Sequence, residues 1–85
     1  MNKFKFSVLT QYGLAFEGMV EKVIVTTSEG EITVLKNHIP LIAMTNKGRL
    51  IIHEEDNVYE YVANAGVLKI DEEVILMSDD IQKIK

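Results

Sequence analysis

Apolar and polar residues alternate along most of this chain, and that pattern limits the fold more than any other feature. At the start of the chain Phe4, Phe6 and Val8 fall on one face of an extended segment, with Lys5 and Ser7 on the other. Turn-forming residues recur at intervals of roughly eight residues, as in small all-β domains. No segment carries the sustained apolar repeat of an amphipathic helix. The sequence therefore predicts an all-β sandwich or barrel of about eight to ten short strands.

A hairpin is predicted near the middle of the first half. Residues 20–27 are rich in β-branched side chains, which suit a pleated sheet, and residues 32–35 would form the returning strand. Between them lies a tight turn in which Gly30 can supply a positive φ. A short strand over residues 14–17 comes before this hairpin, and we expect it to end at Gly18.

The second half of the chain divides at glycine, asparagine and acidic residues. Pro40 closes a loop and biases Ile39 away from helical geometry. A turn is predicted over residues 45–48. Ile81 and Ile84 hint at one helical turn, but so short a segment cannot hold a helix alone. The predicted strands are residues 41–44, 49–53, 58–63, 67–70 and, as the last, 74–77.

Length and composition exclude several classes of protein. The 85 residues are enough for one domain, residues 1–85, and the chain has no cysteine for disulfides or thiolate metal sites. Nine basic against thirteen acidic residues give a net charge of −4, which argues against binding to nucleic acid or anionic lipid. The longest uncharged apolar stretch, residues 39–44, is far shorter than the roughly 20 residues of a membrane helix. We expect a soluble protein with no direct membrane insertion.

The candidates for chemistry are few. His53 has the pattern of a solvated strand residue, whereas His38 lies in a loop, where a partner contact or a plain surface role are both open. Glu29 and Glu31 flank a turn, as a solvated pair or as a polar contact to another subunit. No phosphate-binding glycine loop or nucleophile motif is present. The sequence therefore predicts no catalytic residues, no metal site and no cofactor.

A set of short motifs narrows the choice. They are F-x-G at residues 16–18, V-E-x-V at 20–23, G-E at 30–31, H-x-P-L at 38–41, an N-A-G-V-L stretch at 64–68, and V-I-L-M-S-D at 74–79. In this order they resemble the N-terminal domain of the epsilon subunit of bacterial and chloroplast F-type ATP synthases. The chain departs from that pattern at five positions: Thr33, Asn37 and Ala65 stand where the family usually has glycine, and Lys36 and Lys47 where it usually has proline.

The resemblance implies a flattened sandwich of about ten short strands. Most members of the family continue into a C-terminal helical hairpin, which we expect to be absent here. The resemblance also implies a non-catalytic rotor subunit that couples gamma-subunit rotation to the membrane c-ring during ion-driven ATP synthesis. The implied c-ring or gamma contacts are Glu29, Gly30, Glu31, Asn37, His38 and Pro40. The implied gamma-facing positions are Thr10, Ala43 and Asn64. We expect the turn that contains Glu29 and the loop that contains His38 to lie at one end of the sandwich.

The same resemblance places the protein at the cytoplasmic face of a bacterial inner membrane, or at the stromal face of thylakoids, held there through the complex. Because the family's inhibitory helical hairpin would begin where the sequence stops, we expect no ATP binding and no hairpin-type inhibition. Two rival hypotheses remain: a free-standing β-sandwich that binds another protein, and a small β-barrel enzyme that uses His38 and Glu31 as its acid and base.

Overall fold

The computed structural model describes residues 2–84, which form nine strands and no helix. This confirms the predicted all-β class. The strands are β1 (Phe4–Thr10), β2 (Gly13–Val20), β3 (Lys22–Thr27), β4 (Gly30–Val34), β5 (Leu41–Glu54), β6 (Asn57–Ala63), β7 (Gly66–Ile70), β8 (Val74–Ser78) and β9 (Ile81–Lys83).

The strands form two layers that share one long strand. The first layer has the order β2-β1-β8-β7-β5 and uses the beginning of β5. The second layer has the order β4-β3-β5-β6-β9 and uses the later part of β5. Strands β1 and β8 run parallel, and the other pairs are antiparallel. Because β5 passes from one layer to the other, the two layers are covalently and mechanically continuous.

The predicted turn over residues 45–48 is wrong, because β5 continues through it as one bent strand of 14 residues. Thr45 pairs with Thr27 and Leu50 with Val25, so a single β3 residue, Thr26, faces the four intervening residues of β5. Thr26 Oγ1 donates to the Arg49 carbonyl over 3.1 Å and holds this bulge. A bulge of this kind bends a strand without ending it.

The core lies between the layers and follows the predicted alternation. Phe4, Phe6 and Val8 are buried, as expected from the first segment of the chain. The largest fully buried side chains come from both layers: Phe6, Leu50, Ile52, Leu68 and Leu76. Phe6 also packs against Phe16 of β2 with ring centroids 6.0 Å apart. Burial of this apolar surface is the main source of stability in a chain without disulfides.

The hairpin prediction is confirmed, with β3 and β4 joined at residues 28 and 29. Gly30 has the positive φ expected of it, 112°. Three boundaries differ from expectation: β2 runs through Gly18, the run 20–27 breaks at Glu21, and residues 81–83 form strand β9 where a helical turn was hinted. Strand β9 forms because its residues pair with residues 61–63 of β6, a contact between segments far apart in sequence.

Candidate interaction surface

An apolar stripe crosses the outer face of the first layer. Leu14, Leu9, Met77, Val67 and Met44 stand directly opposite one another on the successive strands β2, β1, β8, β7 and β5. Directly opposed residues share one face of a sheet. Four of the five are exposed, from 39% for Leu9 to 64% for Met44. Five strands at the usual spacing give the stripe a length of about 19 Å.

The stripe lies on the face opposite the core. On β1 the residues Phe6 and Val8 point inward, so Leu9 points outward, and Met77, Val67 and Met44 likewise alternate with buried neighbours on their strands. On β2 the register shifts at Ala15, and this bulge brings Leu14 to the outer face although Phe16 packs against the core. Exposed apolar residues scattered singly need no explanation, but a continuous row of them marks an interaction surface. Ile42 of β5, 70% exposed, widens the apolar area beside Met44.

Polar residues border the stripe on the side of the N-terminal strands. Ser7 and Glu17 form the next cross-strand pair, and Lys5 Nζ lies 3.2 Å from Glu17 Oε2. The pKa of the Lys5 ammonium is raised, chiefly by its hydrogen bond to Glu17. An apolar centre with a polar margin is the usual composition of a protein–protein interface.

The outer face of the second layer is different. Ile51 points outward there, yet it is only 9% exposed. Glu60 stands opposite Ile51, and Arg49 lies two residues away on the same face, with Arg49 Nε 3.4 Å from Glu60 Oε2. Long charged side chains cover apolar surface with their carbon stems. This face is therefore already covered by the chain's own side chains near its centre.

The three expected gamma-facing residues neighbour stripe residues along the chain or across the sheet, but Ala43 stands opposite the buried Leu68 and so lies on the core-side face of β5. Thr10 follows Leu9, Ala43 precedes Met44, and the Asn64 carbonyl accepts a hydrogen bond of 2.9 Å from Ser78 Oγ, next to Met77. Thr10 Oγ1 also donates to the Gly13 carbonyl and so shapes the turn between β1 and β2. The stripe itself, however, is absent from the residues that the sequence singled out.

The expected c-ring or gamma contacts separate into two groups. Glu29 and Gly30 lie at the start of β4, with Glu31 next along it, whereas Asn37, His38 and Pro40 belong to the loop that follows its other end. The expectation that both segments lie at one end is therefore wrong. The turn closes the β3–β4 hairpin, and the loop begins at the open end of that hairpin. The two segments are therefore separated by the length of a five-residue strand.

The loop that contains His38 is held by its own backbone. Asn37 takes a left-handed φ of 68°, a conformation that asparagine tolerates better than most residues, so its place in a family glycine position is accommodated. The His38 amide donates to the Leu35 carbonyl over 3.1 Å, and His38 Nδ1 lies 2.8 Å from the Ile39 carbonyl oxygen. These contacts fix a partly buried imidazole beside the exposed Ile39.

A groove opens where the β3–β4 hairpin separates from β5. Residues 27–29 and Ile32 form one wall, and residues 41–44 form the other, around a volume of about 350 Å³. We call this the β5 groove. Its lining is apolar apart from the turn residues, and Met44 belongs both to the groove and to the apolar stripe.

Three further observations concern residues 2–84. This part of the chain contains no group of three or more His, Cys, Asp or Glu side chains placed to hold a metal ion. Glu29 and Glu31 are exposed on either side of Gly30. Within the same residues no helix has the length and hydropathy to cross a membrane.

Sequence reasoning missed the stripe because it examined strands one at a time. Leu9, Met77 and Met44 each stand at a position where the alternation of their own strand predicts a polar residue. That irregularity was the signal available in the sequence. It becomes a surface only when β1 lies next to β8 and β7 next to β5. Neither pair joins strands that are consecutive in the chain.

Comparison with known proteins gives a consistent result. Residues 3–82 match the family described as "ATP synthase, Delta/Epsilon chain, beta-sandwich domain". The "ATP synthase epsilon chain" of Endomicrobium trichonymphae is 37% identical over 70 residues, which cover 82% of this chain and 51% of that one. The corresponding chain of Campylobacter curvus is 36% identical over 81 residues, covering 93% and 63%. The chain thus spans about half to two thirds of the length of these relatives.

Solved structures show the same fold. A chain in the cryo-EM structure of the Euglena gracilis mitochondrial ATP synthase with OSCP, F1 and the c-ring superposes with a TM-score of 0.91 at 18% identity, over 98% of this chain and 54% of that one. A chain from the central stalk and c-ring of the Tetrahymena thermophila mitochondrial ATP synthase gives 0.80 at 13% identity, over 93% and 65%.

Proposed function

The chain belongs to the delta/epsilon family of ATP synthase chains through its β-sandwich domain, and we propose on this basis that it is a central-stalk subunit of a rotary F-type ATP synthase. In this role it couples rotation of the gamma subunit to the membrane c-ring during ATP synthesis driven by an ion gradient. It contributes no catalytic group and binds no cofactor. It is peripheral to the membrane, at the cytoplasmic face in bacteria or the stromal face in plastids.

The apolar stripe is the observation that carries the proposal. A subunit that turns with a shaft needs a contact that does not slip, and a continuous row of apolar side chains on a flat sheet provides a large contact area with one orientation. We assign the stripe to the gamma subunit. Thr10, Ala43 and Asn64 stay proposed gamma contacts beside it, although Ala43 lies on the core-side face of β5. The covered outer face of the second layer is poorly suited to the same task, since Arg49 and Glu60 would have to lose their mutual contact and water.

Stiffness is the second requirement for transmitting torque. Every strand of the described chain is paired, and β5 joins both layers without a flexible linker. Packed protein interiors resist deformation and transmit strain. The fold is therefore suited to turn as one body with its partners.

We assign the c-ring or gamma contacts to Glu29, Gly30 and Glu31, and to Asn37, His38 and Pro40. Because these groups lie at opposite ends of β4, a single partner can meet both only if its surface runs along the strand. In an assembled synthase, Glu31→Gln together with His38→Ala should reduce ATP-driven ion pumping more than ATP hydrolysis. Equal pumping and hydrolysis in parent and variant would remove these residues from the coupling contact.

The gamma contact is tested by a charge placed in the stripe. Leu9→Lys puts an ammonium group within the proposed contact, and burial of an unpaired charge should weaken binding to purified gamma on the order of 100-fold. Val58→Lys is the matched control, since Val58 is 54% exposed on the outer face of the second layer. Affinity is measured by calorimetry, and circular dichroism checks that both variants fold.

Three outcomes are distinct. Loss of binding in Leu9→Lys alone supports the proposal. Equal binding of both variants moves the gamma contact away from the stripe. A parent chain that does not bind gamma at all favours the rival hypothesis of a free-standing β-sandwich that binds another protein.

A further inference from the structure

The beginning of β5 is an open sheet edge. Residues 41–45 pair with β7 on one side, and on the other side the hairpin approaches them only at Thr45 and Met44. Open edges of this kind present unpaired backbone donors and acceptors, and natural proteins usually protect them with charges, prolines or a covering segment. This edge instead carries Leu41, Ile42 and Met44, all exposed.

The direction of the free backbone groups follows from one hydrogen bond. The Ser28 amide donates to the Met44 carbonyl over 3.1 Å, on the side away from β7. In an antiparallel ladder, every second residue points both of its backbone groups away from the partner strand. Ile42, two residues before Met44, therefore also points its amide and carbonyl away from β7. In the described chain these groups and the Met44 amide face the β5 groove without a backbone partner.

We propose, on the basis of the gamma contact proposed above, that gamma covers this edge with an extended segment that adds a strand beside residues 41–44. The free amides of Ile42 and Met44 and the carbonyl of Ile42 need a partner with matching acceptors and donors, and an extended backbone supplies both. The added strand continues the first layer by one strand beyond β5.

Two features indicate that the partner at this sheet edge is the one that covers the stripe. Met44 is the last residue of the stripe and also a member of the edge, so the two surfaces are continuous. The segment's outward side chains would meet Ile42 and Met44, and its inward ones would enter the apolar groove beside Ile32 and Leu41. A Lys or Arg near its end would complement Glu29 at the rim. A second copy of this chain fits less well, because each copy has a net charge of −4 and its own Glu29 there.

Amide hydrogen exchange tests the added strand directly. In the free chain the Ile42 and Met44 amides should exchange rapidly, and in a saturated complex with purified gamma they should exchange at least about tenfold more slowly. The Val58 amide is the internal control. The Val58 amide points away from β5 in the plane of the sheet. Glu60, two residues along β6, has the same orientation, and its carbonyl accepts a hydrogen bond from the Ile84 amide. The exchange of the Val58 amide should be unchanged by gamma.

Two substitutions at Ile42 separate the contribution of its backbone amide to binding from that of its side chain. Ile42→Ala removes most of the side chain and keeps the amide, whereas Ile42→Pro also removes the outward amide, which β7 does not use. We expect Ile42→Pro to bind gamma about tenfold more weakly than Ile42→Ala. Val58→Pro removes the outward amide of β6 and should bind as the parent does.

The two proposals fail in different ways. If gamma binds, Leu9→Lys prevents it, but the Ile42 and Met44 amides stay unprotected, then the stripe is the contact and the added strand is wrong. Equal affinity of Ile42→Pro and Ile42→Ala leads to the same conclusion. If the parent chain forms no complex with gamma, both proposals are overturned.

Discussion

The two outer faces of this sandwich differ in how far their apolar residues are exposed to water. Ile42 and Ile51 lie on the same strand, β5, and both point away from the core, each from a different layer. Ile42 is 70% exposed and Ile51 only 9%. On the second layer the isoleucine lies between Ile24 of β3 and Glu60 of β6 and is shielded by its neighbours. On the first layer nothing within the described chain shields Ile42 in this way, and the apolar residues line up across five strands.

The difference shows that outward apolar residues serve two purposes here. Ile51 adds to stability because the folded chain already removes it from water. The residues of the stripe remain in water until a partner arrives, so their burial contributes to binding. Substitutions on the two faces should therefore separate into those that change the free energy of unfolding and those that change affinity.

The largest effect on stability is expected at Gly66, which precedes the stripe residue Val67 on β7. A Cβ added at Gly66 would lie 1.8 Å from the Met77 carbonyl oxygen, so Gly66→Ala must push β7 and β8 apart. We expect a loss of about 3 kcal/mol or more in urea denaturation. Ala65→Gly at the exposed neighbour should change stability by less than about 1 kcal/mol. If Gly66→Ala were as stable as the parent, the spacing of β7 and β8 would be incorrect.

The next prediction compares the two isoleucines of β5. Ile51→Ala removes a covered side chain and should lower the free energy of unfolding by about 2 kcal/mol. Ile42→Ala removes an exposed one and should change it by less than about 0.5 kcal/mol. Both are measured by urea denaturation of the chain without partners. Similar losses at the two positions would show that the faces do not differ.

The ion pair on the second layer should contribute less. Glu60→Gln removes one charge from a partly exposed pair and should lower stability by about 0.5 kcal/mol, because solvent screens the interaction. The loss should shrink as salt is added. Glu72→Gln, which removes an exposed carboxylate outside the pair and changes the net charge by the same amount, is the control for net charge. A loss that does not respond to salt would mean that packing against Ile51, not charge, is the main contribution of Glu60.

The smallest effect depends on pH. Burial raises the pKa of the Tyr61 phenol above its usual value, and Tyr59 nearby raises it further. The folded state thus favours the neutral phenol, and this contribution is complete below the unfolded pKa of about 10 and is lost as pH rises through the folded pKa. Tyr61→Phe should melt like the parent near neutral pH and lose less stability above about pH 10. Tyr12→Phe, at an exposed tyrosine, should keep the parent's alkaline loss.

The candidate surface was only partly predictable. Thr10, Ala43 and Asn64, expected from the family resemblance, stay predictions, and Leu9, Met77 and Met44 were not singled out. The missing step was the order of strands, since the stripe exists because β1 pairs with β8 and β5 with β7. The expectation that Glu29 and His38 lie at one end of the sandwich failed for a related reason. The two residues lie beyond opposite ends of β4, whose length was not taken into account.

By itself the sequence determined the strand class, the inward face of β1 and the turn at Gly30, because alternation and turn geometry depend on neighbours a few residues apart. The tertiary structure alone decided that β5 bends through residues 45–48 without stopping, that β2 passes through Gly18 and that residues 81–83 become a strand. Those outcomes depend on partner strands distant in sequence, whose backbone hydrogen bonds and shared core outweigh local turn and helix preferences.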